Sequence, residues 1–154
     1  MINLREYALR LITVKDRTKK EIIGKLREKN YDDTEIEKEI EFLQSYGYIN
    51  DEKYAEKFVL DAINLKKWGK RRIESELLHR GISKDTVSDV IERLFPEDVR
   101  ERLVGEIERR YKGADLSNIK ERTRIFNYYA RRGFSVDEIK GALNSLCAFN
   151  DITD

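Results

Sequence analysis

A spacing of about 51 residues constrains this chain more than any single motif. Moving Ile22, Leu26, Ile36, Ile40 and Leu43 forward by 51 positions lands on Ile73, Leu77, Val87, Ile91 and Leu94. A further step of 52 lands on Ile125, Tyr129, Ile139, Leu143 and Leu146, so all fifteen positions are apolar or aromatic. The punctuation keeps the same period: Asn30, Gly81 and Gly133 share one register, and Asp32, Ser83 and Ser135 another. Asn and Gly tolerate the left-handed backbone that ends a helix, whereas Asp and Ser accept hydrogen bonds from the first amides of the next one. Between them stands Tyr31, Ile82 or Phe134, an apolar residue suited to the inside of a tight helix-helix corner.

Charge follows the same rhythm, although the net value of +1 hides it. Lys plus Arg exceed Asp plus Glu by 9 to 4 over residues 1–29, 7 to 3 over 57–80 and 9 to 4 over 102–132. The intervening blocks reverse this, with 2 against 9, 3 against 6 and 1 against 4.

Each period reads as three helices. Leu4, Ala8, Leu11 and Ile12 form the apolar stripe of a first helix. Thr18 with Glu21, and Asp32 with Glu35, have the spacing of capping boxes that open the second and third. In the middle unit the spacing predicts helices over Glu52 to Leu65, Lys70 to Arg80 and Lys84 to Leu94, and Asp51 is expected to be an N-cap. Pro96 suits the first turn of the following helix, Val99 to Tyr111, after which a longer insert departs from the pattern. Eight glycines and one proline leave little turn chemistry for a β protein. The expected architecture is all-α, with three tandem three-helix repeats over 1–50, 51–96 and 97–154. A unit this small is marginal alone, so the repeats are expected to stack into an elongated, curved array.

Several function classes are excluded or disfavoured. No apolar run approaches the roughly 20 residues needed to span a bilayer, and no signal-peptide core opens the chain, so a soluble, cytoplasmic protein without membrane partners is expected. Cys147 stands alone, which rules out an internal disulfide and a CxxC metal site and suits a small hydrophobe on the last helix. His79 is the only histidine and has no visible catalytic or metal-binding partners. With no P-loop, Rossmann fingerprint, HExxH or GxSxG, the chain is not expected to be an enzyme or to hold a cofactor or metal. The acidic run from Asp32 to Glu41 alternates rather than converging, so it reads as a solvated helix face.

The strongest functional candidate is the basic turn Lys66, Lys67, Trp68, Gly69, Lys70, Arg71 and Arg72. Its cations can meet phosphates or carboxylates, while Trp68 can stack on a base, fill a partner's pocket or plug a helix joint. Lys15, Arg17, Lys19 and Lys20 hold the matching turn of the first unit, and Lys120, Arg122 and Arg124 approach it in the third. Tyr46, Tyr48, Tyr54 and the other tyrosines are expected in the core or at corners.

The stretch GYINDEKYAEKF followed by KKWGKRRIESELLHRGIS resembles the signature of the RecX family, bacterial proteins that regulate the RecA recombinase. The matching positions are Tyr48, Asp51, Tyr54, Ala55, Gly69, Arg72, Ile73, Leu77, Gly81 and Ile82. The run Ala8 to Ile12 and the segment Glu21 to Leu26 are similar to the family's opening repeat, and Arg131-Arg132-Gly133-Phe134 anchors a looser likeness in the third unit. The resemblance implies a non-catalytic regulator of recombination and DNA repair. Its partners would be the RecA filament and the single-stranded DNA within it, and its effect to limit filament assembly or activity. A monomer is expected. An autonomous DNA-binding protein and a helical-repeat interaction scaffold are the alternatives that the residues leave open.

Overall fold

The computed structural model describes residues 2–153, with side chains through residue 148. Among the described residues every regular element is helical. The α-helices are α1 (Leu4–Val14), α2 (Lys19–Glu28), α3 (Asp33–Ser45), α4 (Asp51–Asp61), α5 (Lys70–His79), α6 (Lys84–Leu94), α7 (Val99–Arg110), α8 (Ile119–Arg131) and α9 (Val136–Thr153). A five-residue π-helical segment, Ala62–Lys66, continues α4. The expected helix from Glu52 to Leu65 is therefore two elements, because its last turn widens before the chain reaches Trp68.

The periodic register is what the molecule buries. Fourteen of the fifteen repeat positions are buried, and the remaining one, Leu94, is half-buried. Full burial of such a side chain contributes roughly 1.5–3 kcal/mol relative to exposure, so these positions dominate the choice of fold. The corners are equally regular. Asn30, Gly81 and Gly133 adopt φ of 63°, 92° and 100°. At each corner the positive-φ residue donates its amide three residues back, to Arg27, Leu78 or Ala130, and the next amide reaches five back, to Leu26, Leu77 or Tyr129. This paired closure satisfies carbonyls that a helix end otherwise leaves open. Asp32, Ser83 and Ser135 then accept from the amides of Thr34, Thr86 and Glu138, which starts the following helix.

Three local expectations are corrected. Asp32 accepts from Thr34 rather than pairing with Glu35. Asn50, not Asp51, caps α4 by accepting from the Lys53 amide at 3.1 Å, whereas Asp51 accepts from the Lys19 amide at 2.9 Å and so covers the start of α2. Pro96 lies outside α7, whose N-cap position is Asp98.

The chain divides into two compact units, one of Met1–Asp61 with Glu74–Leu94 and the other of Ala62–Ile73 with Phe95–Asp154. In the first, α1, α2 and α3 pack around Ala8, Leu11, Ile22, Leu26, Ile36, Ile40, Leu43 and Ile49. Helix α4 packs on α6, with Ala55 and Val59 buried on one and Val87, Val90 and Ile91 on the other. In the second, α7, α8 and α9 enclose Leu103, Ile107, Ile125, Tyr129, Ile139, Ala142, Leu143 and Leu146, and Leu116 of the connecting insert joins that core. The Tyr129 hydroxyl is buried with no hydrogen-bond partner among the described residues. Burial, with the nearby Glu106 charge, pushes its pKa well above the usual tyrosine value.

Each unit contains one joint in which the start of a second helix meets a helix corner. In the first, buried Thr18 donates its hydroxyl to the Arg80 carbonyl at 2.7 Å and accepts from the Glu21 amide at 3.2 Å. In the second, the Gly69 amide donates to the Arg132 carbonyl at 2.7 Å, and the Arg71 amide donates to the Gly133 carbonyl at 3.2 Å. Thr18 and Gly69 are 51 residues apart, and Arg80 and Arg132 are 52 apart.

Candidate polyanion interface

The basic turn is shaped by its backbone before its charges. Beyond the π-helical segment the Trp68 amide donates to the Ala62 carbonyl at 3.0 Å, and Lys67 takes φ of 56°, a left-handed conformation uncommon for a residue with a long side chain. Gly69 then lies against Gly133. An added Cβ on Gly69 would sit 2.5 Å from the Gly133 carbonyl carbon and oxygen, and one on Gly133 would sit 2.5 Å from Arg72 Cβ. Only two glycines allow this approach.

Trp68 is buried, with 8% of its surface exposed, so it plugs this joint and is not an open platform for a base or a partner's pocket. Lys66 Nζ lies 4.5 Å and Arg72 Cζ 4.1 Å from its ring centroid. Lys66, Lys70 and Arg71 are exposed, and Lys67 and Arg72 are half-buried.

The turn meets cations that sequence reasoning did not assign to it. Arg132 donates to the Lys66 carbonyl and to the Tyr128 hydroxyl, both at 2.7 Å. Arg72 donates to the Arg131 carbonyl at 3.3 Å, and the exposed Arg131 side chain stands alongside. Arg110 lies 4.2 Å from the Tyr128 ring centroid. Lys66, Trp68, Arg72, Tyr128, Arg131 and Arg132 line an open groove of about 430 Å³. Among the described residues no carboxylate comes within 4.0 Å of Arg72, Arg131 or Arg132. The signal that could have found them is the register itself, since Arg132-Gly133 stands where Arg80-Gly81 stands one period earlier.

The other predicted cations separate by what they hold. Lys15, Lys19 and Lys20 are exposed, and the methylene stem of Lys20 lies against Gly81. Arg17 instead donates to the Leu11 carbonyl at 3.2 Å, a helix-end contact. Lys120 and Arg124 are exposed. Arg122 is committed to α9 through Asn144 at 3.1 Å and Cys147 Sγ at 3.3 Å. Near the first turn Asp16 pairs with Lys57 at 3.1 Å, and that hydrogen bond holds the Lys57 pKa above its ordinary value.

Of the remaining motif residues, Leu77 is buried, and Tyr54 accepts a hydrogen bond from Arg80. Tyr46 and Tyr48 lie at the corner after α3, 70% and 52% exposed, and are not core residues. His79 is exposed on α5, and Cys147 is half-buried on α9. Among the described residues no group of His, Cys, Asp and Glu is placed to hold a metal, and no helix is long and apolar enough to cross a membrane.

Helical triplets turned at one repeated corner, with a cation-rich groove as their exposed chemistry, define a protein of tandem three-helix domains. Family comparison agrees: residues 5–43 match the first three-helix domain of RecX and residues 50–91 the second. The chain is 30% identical over 151 residues to the regulatory protein RecX of Clostridioides difficile, covering 97% of this chain and 71% of that one. It is 32% identical over 143 residues to the regulatory protein RecX of Finegoldia magna, covering 88% and 67%. The crystal structure of RecX from Lactobacillus salivarius superposes with a TM-score of 0.77 at 26% identity, over 94% of each chain. A second RecX crystal structure, at 22% identity and a TM-score of 0.70, shares the fold over 88% of this chain and 68% of that one. The chain belongs to the RecX family, whose named members are regulatory proteins. It spans 71% and 67% of the length of the two relatives named.

Proposed function

We propose that this protein regulates the RecA recombinase by binding its filament on single-stranded DNA and limiting filament assembly or activity. Membership of a family of regulatory proteins supports this choice of partner. The observation that carries the reading is the basic turn, in which Lys70 and Arg71 are exposed and have no carboxylate within 4.0 Å among the described residues. Such a surface suits the acidic faces of a filament or the backbone of the nucleic acid it carries. In the reading of the chain as three repeats over 1–50, 51–96 and 97–154, Lys120 and Arg124 are further exposed cations of the same unit, and Lys15, Lys19 and Lys20 give the other unit a basic turn of its own. The protein acts without catalysis, as a cytoplasmic monomer.

The test is RecA strand exchange and ATP hydrolysis on single-stranded DNA with sub-stoichiometric protein. Suppression of both is expected, and no effect at saturating binding sinks the reading. Charge reversal at Lys67, Lys70 and Arg71 together is expected to remove the suppression while leaving the helical fold intact.

A further inference from the structure

We infer that the groove between the basic turn and the end of α8 grips the phosphodiester backbone of nucleic acid. The inference deepens the reading above by naming what the groove holds, and it rests on that reading only for its place in regulation.

Three observations carry it. The groove has one sign of charge: Lys66, Arg72, Arg131 and Arg132 line it together with two aromatic rings, and no acidic or aliphatic residue does. Protein partners are recognised through an apolar centre, whereas nucleic-acid interfaces are polar and strongly basic. The guanidinium groups are also fixed in advance. Arg72 is stacked on Trp68 at 4.1 Å and bonded to the Arg131 carbonyl, and Arg132 is bonded to the Lys66 carbonyl and the Tyr128 hydroxyl. A planar fork held in this way matches phosphate oxygens at little ordering cost. Finally, the rings are already occupied. Trp68 is buried, and Arg110 and Arg132 lie 4.2 Å and 4.9 Å from the Tyr128 centroid. Bases therefore find no stacking surface, and binding is electrostatic and indifferent to sequence.

The experiment is fluorescence anisotropy of the full chain with a labelled oligothymidylate of roughly 30 nucleotides, across a salt series. Arg131→Glu is the primary variant because its side chain makes no hydrogen bond or ion pair among the described residues. It is expected to weaken binding about tenfold and to flatten the salt slope by about 1. Arg72→Gln should weaken binding by a smaller factor, and Lys38→Glu on α3, a surface control, should change nothing. Circular dichroism confirms folding throughout. Failure of the wild-type chain to bind at low salt, wild-type affinity in the Arg131→Glu variant, or displacement by polyglutamate as readily as by oligonucleotide each overturns the inference. The RecA assays separate the two readings. A wild-type chain that binds the oligonucleotide as expected but leaves RecA untouched removes the proposed regulation and keeps the groove. An Arg131→Glu chain that keeps full oligonucleotide affinity but no longer suppresses RecA removes the groove's ligand and keeps the regulation.

Discussion

The two joints occupy one register and are closed by different chemistry. At the first, a threonine side chain supplies the bond to Arg80, and acids stand around it: Asp16 on Lys57, Asp51 on the Lys19 amide and Glu76 at 4.0 Å from Arg80. At the second, main chain meets main chain through Gly69, Arg71, Arg132 and Gly133. The difference shows what a backbone seam makes possible. With the closing bonds made by the main chain, the arginine side chains at the joint add to it by donating to the Arg131 and Lys66 carbonyls and carry one sign of charge. Thr18 does for one joint what the Gly69 amide does for the other, and the second borders a groove lined by arginines.

Substitutions can break this comparison, starting with the largest effect. Gly133→Ala forces a Cβ to 2.5 Å from Arg72 Cβ at a φ of 100°. Overpacking and the left-handed backbone together are expected to cost about 3 kcal/mol or more, read by urea denaturation. Gly81→Ala meets the stem of Lys20 rather than the main chain and should cost about 1–2 kcal/mol, so equal losses at the two glycines would contradict the contrast. Thr18→Val removes both the helix cap and the bond to Arg80, for a loss of about 1–2 kcal/mol, with Thr18→Ser retaining most of the stability. Tyr129→Phe removes an unsatisfied buried hydroxyl and should stabilise by about 1 kcal/mol in thermal or urea unfolding. Lys67→Gly relieves the left-handed strain but adds freedom to the unfolded chain, for a net gain below about 1 kcal/mol.

How far the sequence could be read depended on the range of the interaction. The buried register and the three corners were legible, because Asn30, Gly81 and Gly133 act on their own helix ends and Ile22, Leu26 and their counterparts are spaced by the helix itself. Asp51 was misread as a cap because its carboxylate reaches an amide 32 residues away, and local spacing carries no trace of that. Arg17 and Arg122 look like their neighbours in a list of cations, yet each is held by a contact only the fold creates. Trp68 fitted several roles until its burial showed that it fills the joint. Arg131 and Arg132 are near Lys66 only after α8 has ended at the second joint, so the groove that they share with it was the least legible feature.

The π-helical segment Ala62–Lys66 has a consequence of its own. A π turn holds about one residue more than the α turn it replaces, so the chain there carries a residue in reserve. Deleting one residue between Ala62 and Leu65 would let this segment close as an ordinary α turn and shift Lys66, Lys67 and Trp68 by about 100° about its axis. Trp68 would leave its socket, and Lys66 would point away from Arg132. The groove's position is therefore set by chain length: a one-residue indel in a stretch that does not line it would disable it, where exchanging one surface cation for another would not.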